Sequence, residues 1–272
     1  MAFRAALDSL LAELAPDPAL RAAFAPWCDL LATVGPTPRR GPLTHDLVGF
    51  AGSGDVGINV FDHGTPVLPT ARAWAHDHFG DRAAQELAEL EASLPAGTAV
   101  HAGASHDRRG HRLKLWLAGP SVAQVLSLTG GPYTHLGIDL RPEGLERARG
   151  YRPTPSSETS WDRFEAWRLA PPAPSPISHQ LLAELGVWSE DPDAKRSYDT
   201  IFSPEASLEA LFAEEDRCVS LGVPAVAPRD RLLALDRRLQ TLGLSLRPAA
   251  HEVDLHPGQP PRVEILLTIG VV

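Results

Sequence analysis

The chain repeats one local pattern four times: a short run of alternating polar and apolar residues, a tight turn, and a second such run. The clearest returning run is HRLKLWL at residues 111–117, whose leucines point to one face of a strand while Arg112, Lys114 and Trp116 point to the other. Helical stretches separate the repeats. The pattern therefore predicts an antiparallel sheet with one apolar face under helices and one polar, basic and partly aromatic face. Such a polar face suits an anionic ligand with an apolar tail.

Length, charge and cysteine content limit the class of protein. A chain of 272 residues that is 43% hydrophobic can bury a large core. Its net charge of −9 argues against nucleic acid as the main partner. Cys28 and Cys218 lie far apart without metal-ligand spacing, which predicts two free thiols in a reduced cytoplasmic compartment and no metal site. The N-terminus is amphipathic rather than a secretory signal, and no apolar run approaches transmembrane length, so no membrane partner is expected.

Periodicity and turn residues predict the order of elements. The predicted elements are two helices (3–14, 18–34), a hairpin (43–61), a helical region (70–94) broken at Gly80, a hairpin (97–117), a short helix (121–128), a hairpin (133–151), a strand (160–169), three helices (177–187, 204–219, 228–243) and a hairpin (249–272). Hairpins argue against a doubly wound parallel sheet. Two architectures stay open: an open antiparallel sheet with helices on one side, and a closed antiparallel barrel ringed by helices with a polar lumen.

Several residues also have simpler interpretations. Lys114 and Arg112 fit a solvated sheet face, and tryptophans in strands fit core packing. Asp46 and Asp139 stand at strand ends, where hydrogen bonding in turns explains an aspartate. The histidines around the second hairpin and on the helix before it show no metalloprotease spacing and are interpreted as incidental. The chain carries no P-loop, dinucleotide fingerprint or nucleophile elbow.

Three segments, HRLKLWL, THLGIDLRPEGLERARGY and AAHEVDLHPGQPPRVEILL, carry a resemblance to a known family, and the weaker LTHDLVGFAGSGDVGINVF precedes them. They resemble the hairpins of the ABBA-type aromatic prenyltransferases, and their order is most similar to the branch that prenylates cyanobactin-type peptides. The resemblance covers residues 43–272 as a pattern. It implies an α+β fold, a closed antiparallel β-barrel built from hairpins and ringed by α-helices, in a single domain over residues 1–272.

The resemblance also implies a reaction. An isoprenyl group would move from an allylic diphosphate to a peptide side chain or an aromatic small molecule in natural-product biosynthesis. Basic side chains in the lumen neutralise the departing diphosphate, and aromatic faces shield the allylic cation. Mg²⁺ would be an optional cofactor on the diphosphate, because no cluster in the sequence demands it.

Site residues follow by matching the hairpins to the family pattern. The implied diphosphate ligands are Lys114, Arg112, Arg147, Arg149 and Arg262. The implied prenyl shield is Trp116, Tyr151, Phe61 and Trp167. The implied bases are Asp46 and Glu264.

The last hairpin departs from the family pattern. Glu264 stands where the matching position is basic, and Leu266 stands where it is aromatic. Asn59 in the first hairpin also replaces an expected basic residue. These departures keep two alternatives open: a barrel of the same fold with another acid/base reaction, and a non-catalytic protein that binds a ligand or partner of a biosynthetic pathway.

Overall fold

The structure is a computed structural model of the full chain. It describes residues 2–15, 17–35, 47–51, 56–60, 67–94, 96–119, 122, 135–151, 196–203, 206–220, 222–255 and 261–272. Six helices are present in this part of the chain: α1 Ala2–Leu14, α2 Pro18–Val34, α3 Leu68–Phe79, α4 Asp81–Ser93, α5 Leu208–Ser220 and α6 Arg229–Gln240. Nine strands accompany them: β1 Leu47–Ala51, β2 Val56–Val60, β3 Ala99–Asp107, β4 Gly110–Ala118, β5 His135–Arg141, β6 Gly144–Tyr151, β7 Arg196–Ile201, β8 Leu244–Leu255 and β9 Arg262–Val271.

Local capping residues set the ends of the first helices. The Asp17 side chain accepts a hydrogen bond from the Ala19 N–H at 2.9 Å, and Pro18 occupies the first helical turn of α2. The predicted break at Gly80 is confirmed, since this residue has a φ of 90° and separates α3 from α4. A left-handed backbone there favours glycine because other residues meet a steric penalty.

The strands form one nine-stranded antiparallel sheet in the order β6-β5-β4-β3-β2-β1-β9-β8-β7. The four predicted hairpins are confirmed as the pairs β1–β2, β3–β4, β5–β6 and β8–β9. Sequence reasoning missed β7, a six-residue strand at the edge of the sheet. It also began β8 five residues too late, because Pro248 argues against a strand interior. A register shift between Pro248 and Ala250 accommodates the proline.

Helices cover one face of the sheet and enclose the core there. Helices α2 and α3 contact β2, β3 and β4, while α5 and α6 contact β8. The fully buried residues Ile58, Leu113 and Leu115 of the sheet belong to the same cluster as the buried tryptophans of α2 and α3. The indole N–H of Trp74 donates to the carbonyl of Ala23 at 2.7 Å, which ties α3 to α2 and gives this buried donor an acceptor.

The described residues therefore form a mixed helix and sheet protein, as predicted. Closure of the sheet into a barrel stays a prediction, because residues 152–195 between β6 and β7, including the predicted strand 160–169 and helix 177–187, lie outside the described residues. Most of the predicted helix 121–128 lies outside them too. Within the described part of the chain, no helix combines the length and apolar character needed to cross a membrane.

Both cysteines are buried free thiols, which confirms the prediction that they are not paired with each other. Burial raises the pKa of the Cys28 thiol to about 12. Burial and then the charge of Glu214 raise the pKa of the Cys218 thiol to about 12 as well. Neither thiol is therefore a ready nucleophile at neutral pH.

Three histidine rings cluster near Trp74. The histidines, interpreted as incidental from the sequence, thus include a group that packs together. The ring of His111 lies 4.6 Å from that of His78, 5.0 Å from that of His106 and 5.5 Å from the Trp74 ring system, measured between centroids. Burial, together with repulsion from His78 and His106, lowers the pKa of His111 from 6.5 to about 4. His111 is therefore neutral at physiological pH and packs as an aromatic ring.

Acid is expected to destabilise the protein through His111. The unfolded chain takes up this proton near pH 6.5 and the folded chain only near pH 4, so the free energy of unfolding falls as the pH drops through that interval. His111→Phe keeps an aromatic ring at this position but cannot be protonated. In urea unfolding at pH 7.5, 5.5 and 4.5, its free energy of unfolding should therefore fall less steeply with pH than that of the wild type. An unchanged slope would contradict this assignment.

A control for that experiment is the exposed His76. A hydrogen bond with Asp77, and then the charge of Asp81, raise the pKa of His76 despite slight desolvation. Its protonation therefore favours the folded state, and His76→Gln should change the pH dependence weakly and in the opposite sense.

Candidate functional site

The polar face of the sheet is the face opposite the helices, and β4 presents a basic segment there. Leu113, Leu115 and Leu117 are at most 3% exposed beneath the helices. Because side chains alternate along a strand, Arg112, Lys114 and Trp116 lie on the polar face, as predicted from the sequence.

One row of cross-strand partners on this face runs through Lys114. The strand register places Asn59, Gly103, Lys114, Asp139 and Arg147 side by side on β2 to β6. An acidic position thus lies between two basic ones. Opposite charges in direct register stabilise neighbouring strands.

Gly103 is required by the close approach of β2 and β3 in this row. A Cβ at Gly103 would collide with the Asn59 side-chain oxygen and with the backbone oxygen of Ile58. Asn59 itself is only 8% exposed. Since one of the colliding atoms belongs to the backbone, rotation of a side chain could not relieve the clash. Glycine therefore leaves room for the amide of Asn59 next to the Lys114 position.

Arg112, two residues before Lys114 on β4, lies in a largely buried ion pair. Its Nε donates to the Ser105 hydroxyl at 3.1 Å, and its Nη1 lies 3.8 Å from a carboxylate oxygen of Asp139. Arg112 is 7% exposed and Asp139 is 1% exposed. The carboxylate therefore offsets part of the Arg112 charge and fixes its position before any anion binds.

The next row along β4 combines an aromatic and a basic position. The register aligns His101, Trp116, Gly137 and Arg149 on β3 to β6. Gly137 contributes no side chain between Trp116 and the Arg149 position. Tyr151 follows at the end of β6, opposite His135. Three of the predicted basic and aromatic positions on β6, namely Arg147, Arg149 and Tyr151, are thus brought within two strands of Lys114.

The opposite end of the polar face is acidic. The register places Asp199, Glu252 and Glu264 in one row on β7, β8 and β9. The predicted ligand Arg262 lies in this half, with its Nη2 3.6 Å from a carboxylate oxygen of Glu264. Because β4 and β9 are four strand spacings apart, Lys114 and Glu264 are separated by about 19 Å across the strands, and Glu264 is also displaced from the Lys114 row along the strand direction.

The acidic row and the pair formed by Arg112 and Asp139 were missed from the sequence. Asp139 was interpreted as a turn residue, yet it lies within β5 at a position that faces the polar side. The alternation of β5 could have shown this from the sequence, since Gly137 and Asp139 alternate with the apolar residues of the strand. The predicted residues Asp46, Phe61 and Trp167 lie outside the described residues, so their roles stay predictions.

Comparison with known proteins is informative at the level of the fold. No protein-family model matches the chain, and no curated protein matches it. A likeness to a solved structure supports a prenyltransferase-like fold for the antiparallel sheet and its helical layer.

The structural likeness is to the crystal structure of PriB in its binary complex with product diphosphate. The TM-score is 0.52 with 16% sequence identity, and the match covers 98% of this chain and 96% of that chain. At this identity the likeness shows the fold, and the chemistry has to be argued from the site.

Proposed function

We propose that the protein transfers an isoprenyl group from an allylic diphosphate to a nucleophilic acceptor, either a peptide side chain or an aromatic small molecule, in natural-product biosynthesis. The observation that supports this most is the placement of Arg112, Lys114 and Trp116 on the polar face of a prenyltransferase-like fold. This combination provides positive charge for a diphosphate and an aromatic surface for an isoprenyl chain.

The basic half of the face would hold the donor. In this proposal Lys114 binds the diphosphate as a point charge, together with Arg147 and Arg149 on β6. Arg112 would attract the diphosphate through its charge rather than by direct contact, since it already contacts Asp139 and Ser105. When the allylic carbon–oxygen bond breaks, its electron pair leaves with the diphosphate, and preplaced cations stabilise the charge that develops there.

The aromatic and acidic parts of the face would serve the other reactants. Trp116 lies two residues from Lys114 and would shield the allylic cation from water. The acceptor atom forms the new bond to the cation and releases a proton to a carboxylate, with Glu264 or Asp46 as the base. The row through Glu252 and Glu264 favours an acceptor whose nucleophilic atom carries a proton that a carboxylate can accept. Closure of the sheet would bring this row opposite the basic half.

Mg²⁺, if used, would arrive bound to the diphosphate of the donor. The carboxylates of Glu252 and Glu264 are ligands that Mg²⁺ accepts, but they lie at the far end of the sheet from Lys114. We therefore expect diphosphate binding to rest on the basic side chains. Binding measured with and without a chelator should differ little.

Thermal shift with non-hydrolysable dimethylallyl, geranyl and farnesyl thiolodiphosphates tests the proposal. Ligand at 100 times its dissociation constant adds about 2.7 kcal/mol of stability, which corresponds to a rise of roughly 5–10 °C for a chain of this size. We expect one chain length to give the largest rise and inorganic pyrophosphate a smaller one. Lys114→Ala should remove most of the shift.

The matched control is Arg82→Ala, which removes one positive charge from the exposed surface of α4. It should leave the shift unchanged. Loss of the shift in both variants would show that binding depends on the net charge of the protein and not on a site at Lys114. No shift with any thiolodiphosphate would reject a donor site. A chain-length-dependent shift without transfer to any amine-bearing or aromatic acceptor would favour the ligand-binding alternative.

A further inference from the structure

A second cluster of polar side chains lies on the helix-covered face of the sheet, opposite the polar face. Glu214 and Cys218 are one helical turn apart on α5, and His251 lies on β8, which α5 contacts. All three side chains are buried. Their potential ligand atoms lie within 4.8 Å of one another, and among the described residues this is the one group of three or more such side chains that converges in this way.

His251 is the unusual member of the cluster. It is 0% exposed, and neither of its ring nitrogens has a hydrogen-bond partner among the described residues. A buried polar group without a partner costs stability, so an imidazole in this position calls for a ligand. One of its cross-strand partners, the fully buried Ile265 of β9, is apolar and offers the ring no hydrogen bond.

Glu214 is oriented by a neighbouring strand. Its Oε1 accepts a hydrogen bond from the Thr200 hydroxyl at 2.8 Å, and Thr200 is the register partner of His251 on β7. The Cys218 sulfur lies 3.9 Å from the same oxygen. A hydroxyl that fixes a carboxylate beside an imidazole and a thiol resembles the outer contacts that orient metal ligands in proteins.

The distances and charges suit one ion. Zinc bonds of about 2.3 Å to sulfur and about 2.0–2.2 Å to nitrogen or oxygen place tetrahedral ligand atoms roughly 3.3–3.7 Å apart. Since the ligand atoms now lie up to 4.8 Å apart, the cluster has to contract by about 1 Å when the ion binds. A thiolate, a carboxylate and a neutral imidazole around a divalent cation also form a complex without net charge, which burial favours.

We propose that Glu214, Cys218 and His251, with one water molecule as the fourth ligand, bind one Zn²⁺ ion that fastens α5 to β8. Binding displaces the proton of the Cys218 thiol, forms a sulfur–metal bond and releases one H⁺ to solvent. A thiol and an imidazole select a borderline ion over Mg²⁺ or Ca²⁺, which take oxygen ligands. Because the ligands are buried, the ion would be acquired as the chain folds.

Cobalt is the probe. Full-length protein without a histidine tag is refolded from chelator and titrated with Co²⁺. A near-ultraviolet charge-transfer band from thiolate to cobalt should saturate at one equivalent, and an equivalent of Zn²⁺ should bleach it and raise the melting temperature. The band should be absent in Cys218→Ser and retained in Cys28→Ser, which removes the other fully buried thiol.

Ligand and outer-contact variants keep the proposal testable if Cys218→Ser does not fold. His251→Gln and Glu214→Gln should each weaken Co²⁺ binding by more than the roughly 10–100-fold that loss of an outer contact such as Thr200→Val produces. No band in the wild type, a band that survives Cys218→Ser, or unchanged affinity in both glutamine variants would overturn the site. A band that Zn²⁺ does not bleach would overturn the choice of ion.

Discussion

Replacing Glu215 with alanine is expected to lower the free energy of unfolding by about 3 kcal/mol, because it leaves two partly buried backbone donors and Arg229 without their common acceptor. Glu215 is 0% exposed on α5, and one of its oxygens accepts the N–H groups of Val226 and Ala227 at 2.5 and 2.6 Å. Its second oxygen lies 3.3 Å from Arg229. The side chain therefore holds the connection between α5 and α6 in place.

The measurement is urea unfolding with thermal denaturation beside it, where a loss of this size corresponds to roughly 10 °C. Glu215→Gln keeps one acceptor oxygen and should lose less than Glu215→Ala. The matched control is Asp216→Ala, which removes a 65% exposed partner of the same Arg229 and should cost at most about 1 kcal/mol. Equal losses in Glu215→Ala and Asp216→Ala would show that the buried hydrogen bonds contribute little.

Replacing Arg141 with alanine is expected to cost about 3–4 kcal/mol, since it breaks a buried network that joins two hairpins. Arg141 is 3% exposed at the end of β5. Its Nη2 lies 2.5 Å from Asp107 at the end of β3, and its Nε donates to Glu146 on β6 at 2.8 Å. Removing the guanidinium leaves two partly buried carboxylates without their common partner.

The control for Arg141 is Arg109, which also contacts Glu146 but is 58% exposed. Arg109→Ala should cost less than about 1 kcal/mol in the same unfolding experiment. Arg141→Lys keeps the charge but cannot donate from two nitrogens of a planar group to both carboxylates. Its loss of unfolding free energy should fall between those of the two alanine variants. A comparable loss from Arg109→Ala and Arg141→Ala would contradict the importance of burial.

The pH dependence of the Arg141 effect has a definite sign. Burial is the largest single influence and would raise the pKa of Asp107 and of Glu146, but the hydrogen bonds and positive charges around them, those of Arg141 first, together outweigh burial and lower both pKa values below 3.8 and 4.5. Carboxylates with lowered pKa values stabilise the folded state above those pH values and lose this contribution as the pH falls. The difference between the wild type and Arg141→Ala should therefore narrow below about pH 4.

Sequence reasoning about the two faces of the sheet succeeded where a strand alternates strictly. Arg112, Lys114 and Trp116 were placed on the polar face because the leucines between them had to point to the core. It underestimated Asp139, because an aspartate near a turn has a simple local explanation, while its burial beside Arg112 depends on a neighbouring strand. It also grouped Arg262 with the basic residues, whereas the structure places it beside Glu264 in the acidic half.

What the sequence by itself determined is local. The two faces of the strands, the pairing within each hairpin, the helix start at Asp17 and the break at Gly80 all follow from alternation and turn chemistry over a few residues. The tertiary structure decided which hairpins are neighbours, and so it placed Glu252 and Glu264 in one row and brought Cys218 to His251. These contacts join residues far apart along the chain and form only when helices dock on the sheet, so no local pattern encodes them.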